Sequence, residues 1–75
     1  MAMIPIRTVE KEVFLSKDIA DARIAMGLSQ KVFAKLCGWK QAYQSNFFER
    51  YGGEFPLAKY GKKLETMNRV LEYLD

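Results

Sequence analysis

The stretch from Lys40 to Phe48, with sequence KQAYQSNFF, contains one lysine, three amide side chains and no carboxylate. An amide can donate and accept hydrogen bonds side by side, as the edge of adenine requires, and a lysine can donate to the acceptor atoms of guanine. These residue types contribute little to helix stability but suit a surface that lies against a nucleic acid. A plain solvated helix surface is the alternative interpretation, and we favour contact with a nucleic acid.

The basic residues of the chain are concentrated in the same region. Residues 31–63 contain seven Lys/Arg and two Asp/Glu, whereas residues 1–30 contain four of each and residues 64–75 contain one basic and three acidic residues. A local positive excess of this kind attracts phosphates, although solvated surface lysines would also produce one. The charge pattern therefore favours a polyanionic partner.

Other kinds of chemistry have little support in the composition. The chain has no histidine and one cysteine, Cys37, which removes the commonest general base and every zinc site that needs several cysteines. We therefore expect no catalytic residue, no metal and no cofactor. No apolar run approaches the roughly 20 residues that span a bilayer, and the segment MAMIPIR lacks a signal-peptide pattern. These features predict a cytoplasmic protein that is not an enzyme.

Two short helices are predicted ahead of the polar stretch. The first spans 17–26, with Ser16 as its N-cap and Gly27 after its last residue. Ser29 is predicted to cap a second helix, which ends at Gly38. The apolar face of this second helix is formed by Val32, Phe33, Leu36 and Cys37.

The rest of the chain is predicted to be helical apart from one loop. A third helix runs from about Lys40 to Tyr51, with Trp39 as an apolar anchor before it, and residues 52–61 form a loop with at most one helical turn from Pro56. In the third helix the inward side chains are Tyr43, Phe47, and Phe48 or Tyr51. In the last helix the inward stripe is Leu64, Met67, Val70, Leu71 and Leu74, and the outward residues are Glu65, Asn68, Arg69, Glu72 and Asp75.

The N-terminal segment is ambiguous. Ile4 and Ile6 alternate as in a strand, whereas Val9 and Val13 could form a helix seam. We favour an extended arm or strand over 1–15, followed by one helical domain over 16–75. The fold class is therefore all-α.

Residues 22–39, ARIAMGLSQKVFAKLCGW, resemble the Cro/repressor-type (XRE) helix-turn-helix family. The matching residues are Arg23, Gly27, Leu28, Ser29, Gln30, Ala34 and Gly38. Residues 49–74 are similar to the final part of the antitoxin branch of that family. The resemblance implies a compact lambda-repressor-like domain of four to five helices, whose helix after Gly38 lies in the DNA major groove.

One position departs from the family pattern. The family usually has a branched apolar residue six positions after the turn glycine, and this chain has Gln44 there. Either the third helix is rotated or one residue is inserted. The inward or outward orientation of Tyr43, Gln44 and Ser45 therefore stays open, and Tyr43 could pack in the core or contact DNA.

The resemblance implies two sets of DNA contacts. The base-contacting set is Lys40, Gln41, Ala42, Tyr43, Ser45 and Asn46. The phosphate-contacting set is Ser29, Gln30, Lys31, Arg50, Lys59, Lys62 and Lys63. For Ser29, simple N-capping is the stronger alternative.

These features together predict a sequence-specific transcriptional regulator. We expect a repressor that binds double-stranded DNA as a homodimer on a palindromic operator, because one module of this size contacts only a few base pairs. The dimer contact is expected in the last helix, the N-terminal arm or both. Two alternatives remain: an antitoxin that also binds a toxin protein, and a protein-interaction module without DNA binding.

Overall fold

The computed structural model of the chain describes residues 3–8 and 10–74. The expected places of Val9 in the arm and Asp75 on the last helix lie outside the described residues. The described part forms β1 (Val13–Leu15), α1 (Ser16–Ala25), α2 (Gln30–Leu36), α3 (Tyr43–Arg50), β2 (Glu54–Pro56) and α4 (Leu57–Leu74). The predominantly helical class is confirmed, with a small two-stranded sheet added to it. No helix in these two ranges has the length and apolar character needed to cross a membrane.

Helix α1 begins at Ser16, one residue earlier than predicted. Its N-cap position is occupied by Leu15, whose backbone is extended, and no side chain caps this end. Ser16 is buried, and its backbone N–H donates to the carbonyl oxygen of Gly53 at 3.1 Å. The prediction of Ser16 as N-cap is wrong because β1 leads directly into the helix. The predicted end is confirmed, since Gly27 follows with φ +71°.

Helix α2 begins and ends as predicted. The Oγ of Ser29 accepts a hydrogen bond from the Val32 N–H at 3.2 Å, and Gly38 follows the helix with φ +80°. This left-handed conformation costs residues other than glycine about 1–2 kcal/mol. Phe33 is buried as expected, but Val32 and Leu36 are exposed. One edge of the predicted apolar face therefore lies on the surface.

Helix α3 begins at Tyr43 rather than near Lys40. The backbone N–H of Trp39 donates to the Ala34 carbonyl oxygen at 2.9 Å and closes the turn that follows α2. Its ring lies edge-on to Phe33, with ring centroids 6.3 Å apart. The anchoring role predicted for Trp39 is thus confirmed, while Lys40 belongs to the turn.

The core-facing side of α3 also differs from its prediction. Ser45 and Phe48 are buried, whereas Tyr43, Phe47 and Tyr51 are 63, 45 and 52% exposed. The residue that enters the core thus lies seven positions after Gly38, one more than in the family pattern.

The N-terminal segment is extended, and β1 pairs antiparallel with β2. Phe14 lies opposite Phe55, and their rings stack with centroids 5.2 Å apart. A further bridge joins Arg7 to Val13. The loop predicted over 52–61 is wrong in one respect, because the segment contains the strand β2. The helical turn allowed from Pro56 is present, since α4 begins at Leu57.

Helix α4 continues through Gly61, where the sequence suggests an interruption. Glycine costs a helix about 1 kcal/mol relative to alanine. Core packing on both sides of Gly61 outweighs this cost: Tyr60 packs against Phe55, with ring centroids 5.1 Å apart, and Leu64 is buried. Local propensity is therefore overridden by tertiary contacts.

The last turns of α4 attach the N-terminal segment to the core. In the predicted stripe Leu64, Met67 and Leu71 are buried, Val70 is partly buried, and Leu74 is exposed. Asn68 does not point outward as predicted. Its Oδ1 accepts from the Ile4 N–H at 2.9 Å, and its Nδ2 donates to the Ile4 carbonyl oxygen at 3.1 Å. This amide pairs with Ile4 as a neighbouring strand would.

Candidate nucleic-acid interface

An internal ion pair joins α1 to α3. The Arg23 guanidinium donates from Nε and Nη2 to the two carboxylate oxygens of Glu49, at 2.7 and 3.0 Å. The two side chains are only 14 and 7% exposed. A third donor, Nη1, bonds the carbonyl oxygen of Leu28 at 2.6 Å in the segment before α2. One side chain thus fixes the positions of three helices relative to one another.

The same network reaches the surface between α2 and α3. The Nε2 of Gln30 donates to Glu49 at 3.1 Å, and the Nδ2 of Asn46 donates to the Oε1 of Gln30 at 3.2 Å. Ser45 donates to Glu49 at 3.3 Å. Gln30 and Asn46 are partly exposed, and each amide has donor or acceptor capacity beyond these bonds. The pair is therefore positioned rigidly and can still bind a ligand.

A groove lined by lysines lies between α2 and the connection that follows it. It has a volume of about 360 Å³. Its lining residues are Lys31, Ala34, Lys35, Trp39, Lys40, Gln41 and Ala42. Three ammonium groups around one groove form a site that suits a phosphate oxygen.

The outer side of α3 carries a second, shallower depression of about 370 Å³. It is lined by Tyr43, Asn46, Phe47, Arg50 and Tyr51. The rings of Phe47 and Tyr51 lie 6.0 Å apart between centroids. This side of the helix therefore combines aromatic rings with one amide and one guanidinium.

The first four residues predicted to contact bases are exposed. Lys40, Gln41 and Ala42 precede α3 instead of forming its first turn, and Tyr43 is the first residue of the helix. The core alternative for Tyr43 is thus wrong. Whether any of the four contacts DNA remains a prediction.

The other two residues of that set are less accessible. Ser45 is fully buried and bonded to Glu49, so its expected exposure to bases is wrong. With α3 starting at Tyr43, Ser45 lies on the side that faces the core, while Gln44 is partly exposed. Asn46 is also partly exposed, and its amide is shared with Gln30.

The residues predicted to contact phosphates lie on three helices. Those that are exposed are Ser29, Lys31, Arg50, Lys59, Lys62 and Lys63. Gln30 is partly buried in the network described above. The Nζ of Lys63 lies 5.4 Å from the Trp39 ring centroid, which brings α4 to the lysine groove, whereas Lys59 lies over Tyr60 at 5.3 Å.

Two features of the site were not predicted from the sequence. The exposure of Phe47 and Tyr51 depends on the phase of α3, which the sequence left open. The internal position of Glu49 had a usable signal, because Glu49 is the only carboxylate between residues 22 and 53. A single acidic residue within a basic segment indicates an internal partner, here Arg23.

No metal-binding cluster accompanies this surface: among residues 3–8 and 10–74, no three His, Cys, Asp or Glu side chains are placed to share an ion. Comparisons of the chain with protein-family models, with curated proteins and with solved structures give no significant match. Over residues 3–8 and 10–74 the protein is predominantly helical, with one two-stranded sheet.

Proposed function

We propose that the protein is a sequence-specific DNA-binding transcriptional regulator that acts as a homodimer on a palindromic operator. In this proposal α2 and α3 form the helix-turn-helix unit, and α3 lies in the major groove. The N-terminus of α2 and the lysine groove then face the phosphate backbone. A repressor is the form of regulator that we favour.

The separation of charge between the inside and outside of residues 22–53 carries this proposal. The only carboxylate in this segment, Glu49, is buried against Arg23, whereas Lys31, Lys35, Lys40 and Arg50 are exposed. The outer surface of α2, α3 and their connection is therefore purely cationic. A polyanion can approach this surface without meeting a repelling carboxylate.

The internal network supports the same function through preorganisation. Arg23 and Glu49 fix α3 against α1, and Gln30 links α2 to α3 through Asn46. Because these partners are already in place, little side-chain entropy remains to be lost when the surface binds a ligand. The two rigidly held helices can thus offer contacts in fixed positions to the bases and phosphates of a duplex.

A second surface suits the dimer contact. Leu36 of α2 and Val70, Tyr73 and Leu74 of α4 line an apolar groove of about 300 Å³, together with Arg69. Glu72 is exposed on the same helix. In an isologous contact the apolar residues of the two copies would meet, and Arg69 of one copy can face Glu72 of the other. We assign this groove to a second copy of the chain.

The decisive experiment is selection of bound duplexes from a random pool, followed by measurement of Kd against salt concentration. The logarithm of Kd should rise with the logarithm of salt concentration with a slope of about 0.9 per phosphate contact. Lys31→Ala and Lys35→Ala should each lower that slope by about 1. An enriched palindrome would also give the spacing of the half-sites, expected at about 10 base pairs.

Lys17→Ala provides the matched control. Lys17 is exposed in the first turn of α1 and does not line the lysine groove, so the slope should not change. Failure of every duplex to bind at low salt would contradict the proposal. Equal slopes for all three variants and the unaltered protein would contradict the assignment of the groove.

The apolar groove also favours a second candidate function, binding of another protein. An antitoxin would hold a toxin protein there and still bind its operator, whereas an interaction module would bind only the protein. Duplex binding that weakens steeply with salt is expected of the regulator and of the antitoxin, but not of the interaction module. Co-purification of a toxin protein that Tyr73→Ala abolishes would identify the antitoxin.

A further inference from the structure

Three aromatic rings form a row on the exposed side of α3. Tyr43, Phe47 and Tyr51 are spaced four residues apart, and about half of each residue's surface is exposed. We refer to these three residues as the aromatic row. A soluble protein rarely exposes contiguous large apolar groups unless the patch contacts a ligand. The row is therefore a candidate contact surface.

The rings of the row are held in position from below. Tyr51 packs against buried Phe55 with centroids 4.4 Å apart, and Phe47 lies 5.5 Å from Phe48 and 6.2 Å from Phe55. One part of each of these two rings is thus fixed on the core, while the other part is accessible. Such anchored rings form a binding surface that needs little ordering.

The surroundings of the row favour DNA as the occupant. Arg50 and Asn46 line the same depression. The lysine groove extends to Ala42, the residue before Tyr43. The Glu49 carboxylate is internal, and the exposed carboxylate of Glu54, three residues after Tyr51, is paired with Lys11. The unpaired charge near the row is therefore positive, which suits a polyanion. The apolar group that a duplex presents in its major groove is the 5-methyl group of thymine.

The spacing of the row fits stacked bases. Residues four apart on a helix are separated by about 6 Å along its axis, and successive base pairs by about 3.4 Å. Tyr43 and Phe47 of a helix lying along the groove therefore face positions about two base pairs apart. Aromatic side chains can cover a methyl group at each of these positions.

We propose that Tyr43 and Phe47 recognise thymine 5-methyl groups in the major groove, which rests on the proposed DNA-binding function. These two rings then determine sequence preference, and the amide of Asn46 and the guanidinium of Arg50 supply polar contacts beside them. The operator carries thymines facing the row. Phe47 is a contact residue in this assignment and not only a core residue.

The test removes the methyl groups one at a time. Each thymine of the best selected duplex is replaced by deoxyuridine, which keeps base pairing and the O4 acceptor, and Kd is measured at fixed salt. Loss of one covered methyl group should raise Kd about fourfold. The increase is expected at one or two positions of each half-site, and other thymines should show none.

Protein variants connect the effect to the row. At one of those positions, Tyr43→Ala should bind the duplex with thymine and the duplex with deoxyuridine with the same Kd. Tyr43→Phe should still prefer thymine there. Phe47→Leu should weaken the preference at the other position. Because Phe47 also packs on the core, its variant is compared at matched folded fraction, and the more exposed Tyr43 gives an independent result.

The outcomes separate the two proposals. Duplex binding that no deoxyuridine exchange weakens overturns the methyl assignment and leaves the proposed function intact. The methyl assignment is also overturned if the variants of Tyr43 and Phe47 bind every duplex as tightly as the unaltered protein does. In that case the row contacts a protein partner instead. If no duplex binds at low salt, both the proposed function and this inference fail.

Discussion

The guanidinium of Arg23 and the carboxylate of Glu49 form a bidentate ion pair inside the protein, with N···O distances of 2.7 and 3.0 Å. Burial of two charges costs free energy, and the pair is stable because both partners are present and further bonded. Glu49 also accepts from Gln30 and Ser45. The pair therefore fixes the position of α3, and it withdraws the one negative charge of residues 22–53 from the outer surface.

Loss of one partner of this pair should be strongly destabilising. Arg23→Met leaves the Glu49 carboxylate buried without its counter-ion, so the free energy of unfolding should fall by about 3–5 kcal/mol. Urea unfolding followed by circular dichroism measures the change. Arg50→Met, which alters an exposed arginine next to Glu49 in the chain, should change it by less than about 0.5 kcal/mol. Similar losses for both variants would show that the pair has no special role.

The double variant Arg23→Met/Glu49→Leu tests the cause of the loss. Since an apolar pair of similar volume avoids the buried charge, much of the lost stability should return. A double variant less stable than Arg23→Met alone would indicate that packing, or the bonds that Gln30 and Ser45 donate to Glu49, matters more than the unpaired charge.

The two kinds of DNA contact should respond differently to substitution. Gln41→Ala should reduce binding to the preferred operator by about 1–3 kcal/mol and relax discrimination among operators, because an amide can contact adenine bidentately. Lys31→Ala should weaken binding to all duplexes alike, since phosphates carry no sequence information. Competition binding with the selected operator and a scrambled duplex distinguishes these effects. Uniform loss of affinity in both variants would refute the base contact of Gln41.

Alanine at two glycines should have opposite effects on stability. Gly38 has φ +80°, a conformation that costs alanine about 1–2 kcal/mol, so Gly38→Ala should lower the free energy of unfolding. Gly61 lies within α4, and a Cβ there would meet no atom within 4 Å. Gly61→Ala should therefore raise the free energy of unfolding by about 0.5–1 kcal/mol. Thermal unfolding of both variants tests the signs, and destabilisation by Gly61→Ala would contradict the uninterrupted helix.

Structure that depends on local chemistry was predictable from the sequence. The cap at Ser29 and the left-handed glycines Gly27 and Gly38 act on the backbone within a few residues, so their spacing was sufficient. Strand β2 was not predictable, because Phe55 becomes part of a strand through pairing with Phe14, far away in the chain. Tertiary contacts also carry α4 through Gly61 against its local propensity.

In the candidate site, too, some features could be predicted from the sequence and others depend on tertiary contacts. The positive charge of residues 31–63 follows from composition, and the exposure of Lys40 and Gln41 agrees with it. The orientation of Ser45 could not be predicted, because a difference of one residue in which side of α3 packs on the core is a rotation of the helix by about 100°. The burial of Ser45 and the exposure of Phe47 are two results of this one rotation.

Dimerisation should depend on the apolar groove between α2 and α4. Leu36 is exposed at its edge, and Leu36→Glu would place a charge against the apolar surface of a second copy. Sedimentation velocity should show a dimer for the unaltered protein and a monomer for this variant. Ile24→Glu, an equally drastic change at an exposed apolar residue of α1, should leave the dimer intact. A monomeric unaltered protein at micromolar concentration would refute this contact.

The thiol of Cys37 should make stability depend on alkaline pH. Burial raises the pKa of Cys37 from 9.0 to about 11, and the positive charge of Lys63 offsets only part of this rise. The folded protein therefore holds the thiol proton more tightly than the unfolded chain does. The contribution to stability is constant below pH 9 and falls as pH rises towards 11.

A comparison with Cys37→Ala isolates this contribution, because the two proteins share every other ionisable group. The difference in unfolding free energy between the two proteins should be constant from pH 6 to about pH 8.5. At higher pH the unaltered protein should lose stability relative to Cys37→Ala. At pH 8 the thiolate fraction is about 100-fold lower than for a thiol of ordinary pKa, so iodoacetamide should react slowly until the protein unfolds. Rapid alkylation of the folded protein at pH 8, or a difference independent of pH up to 11, would show that Cys37 is not buried as described.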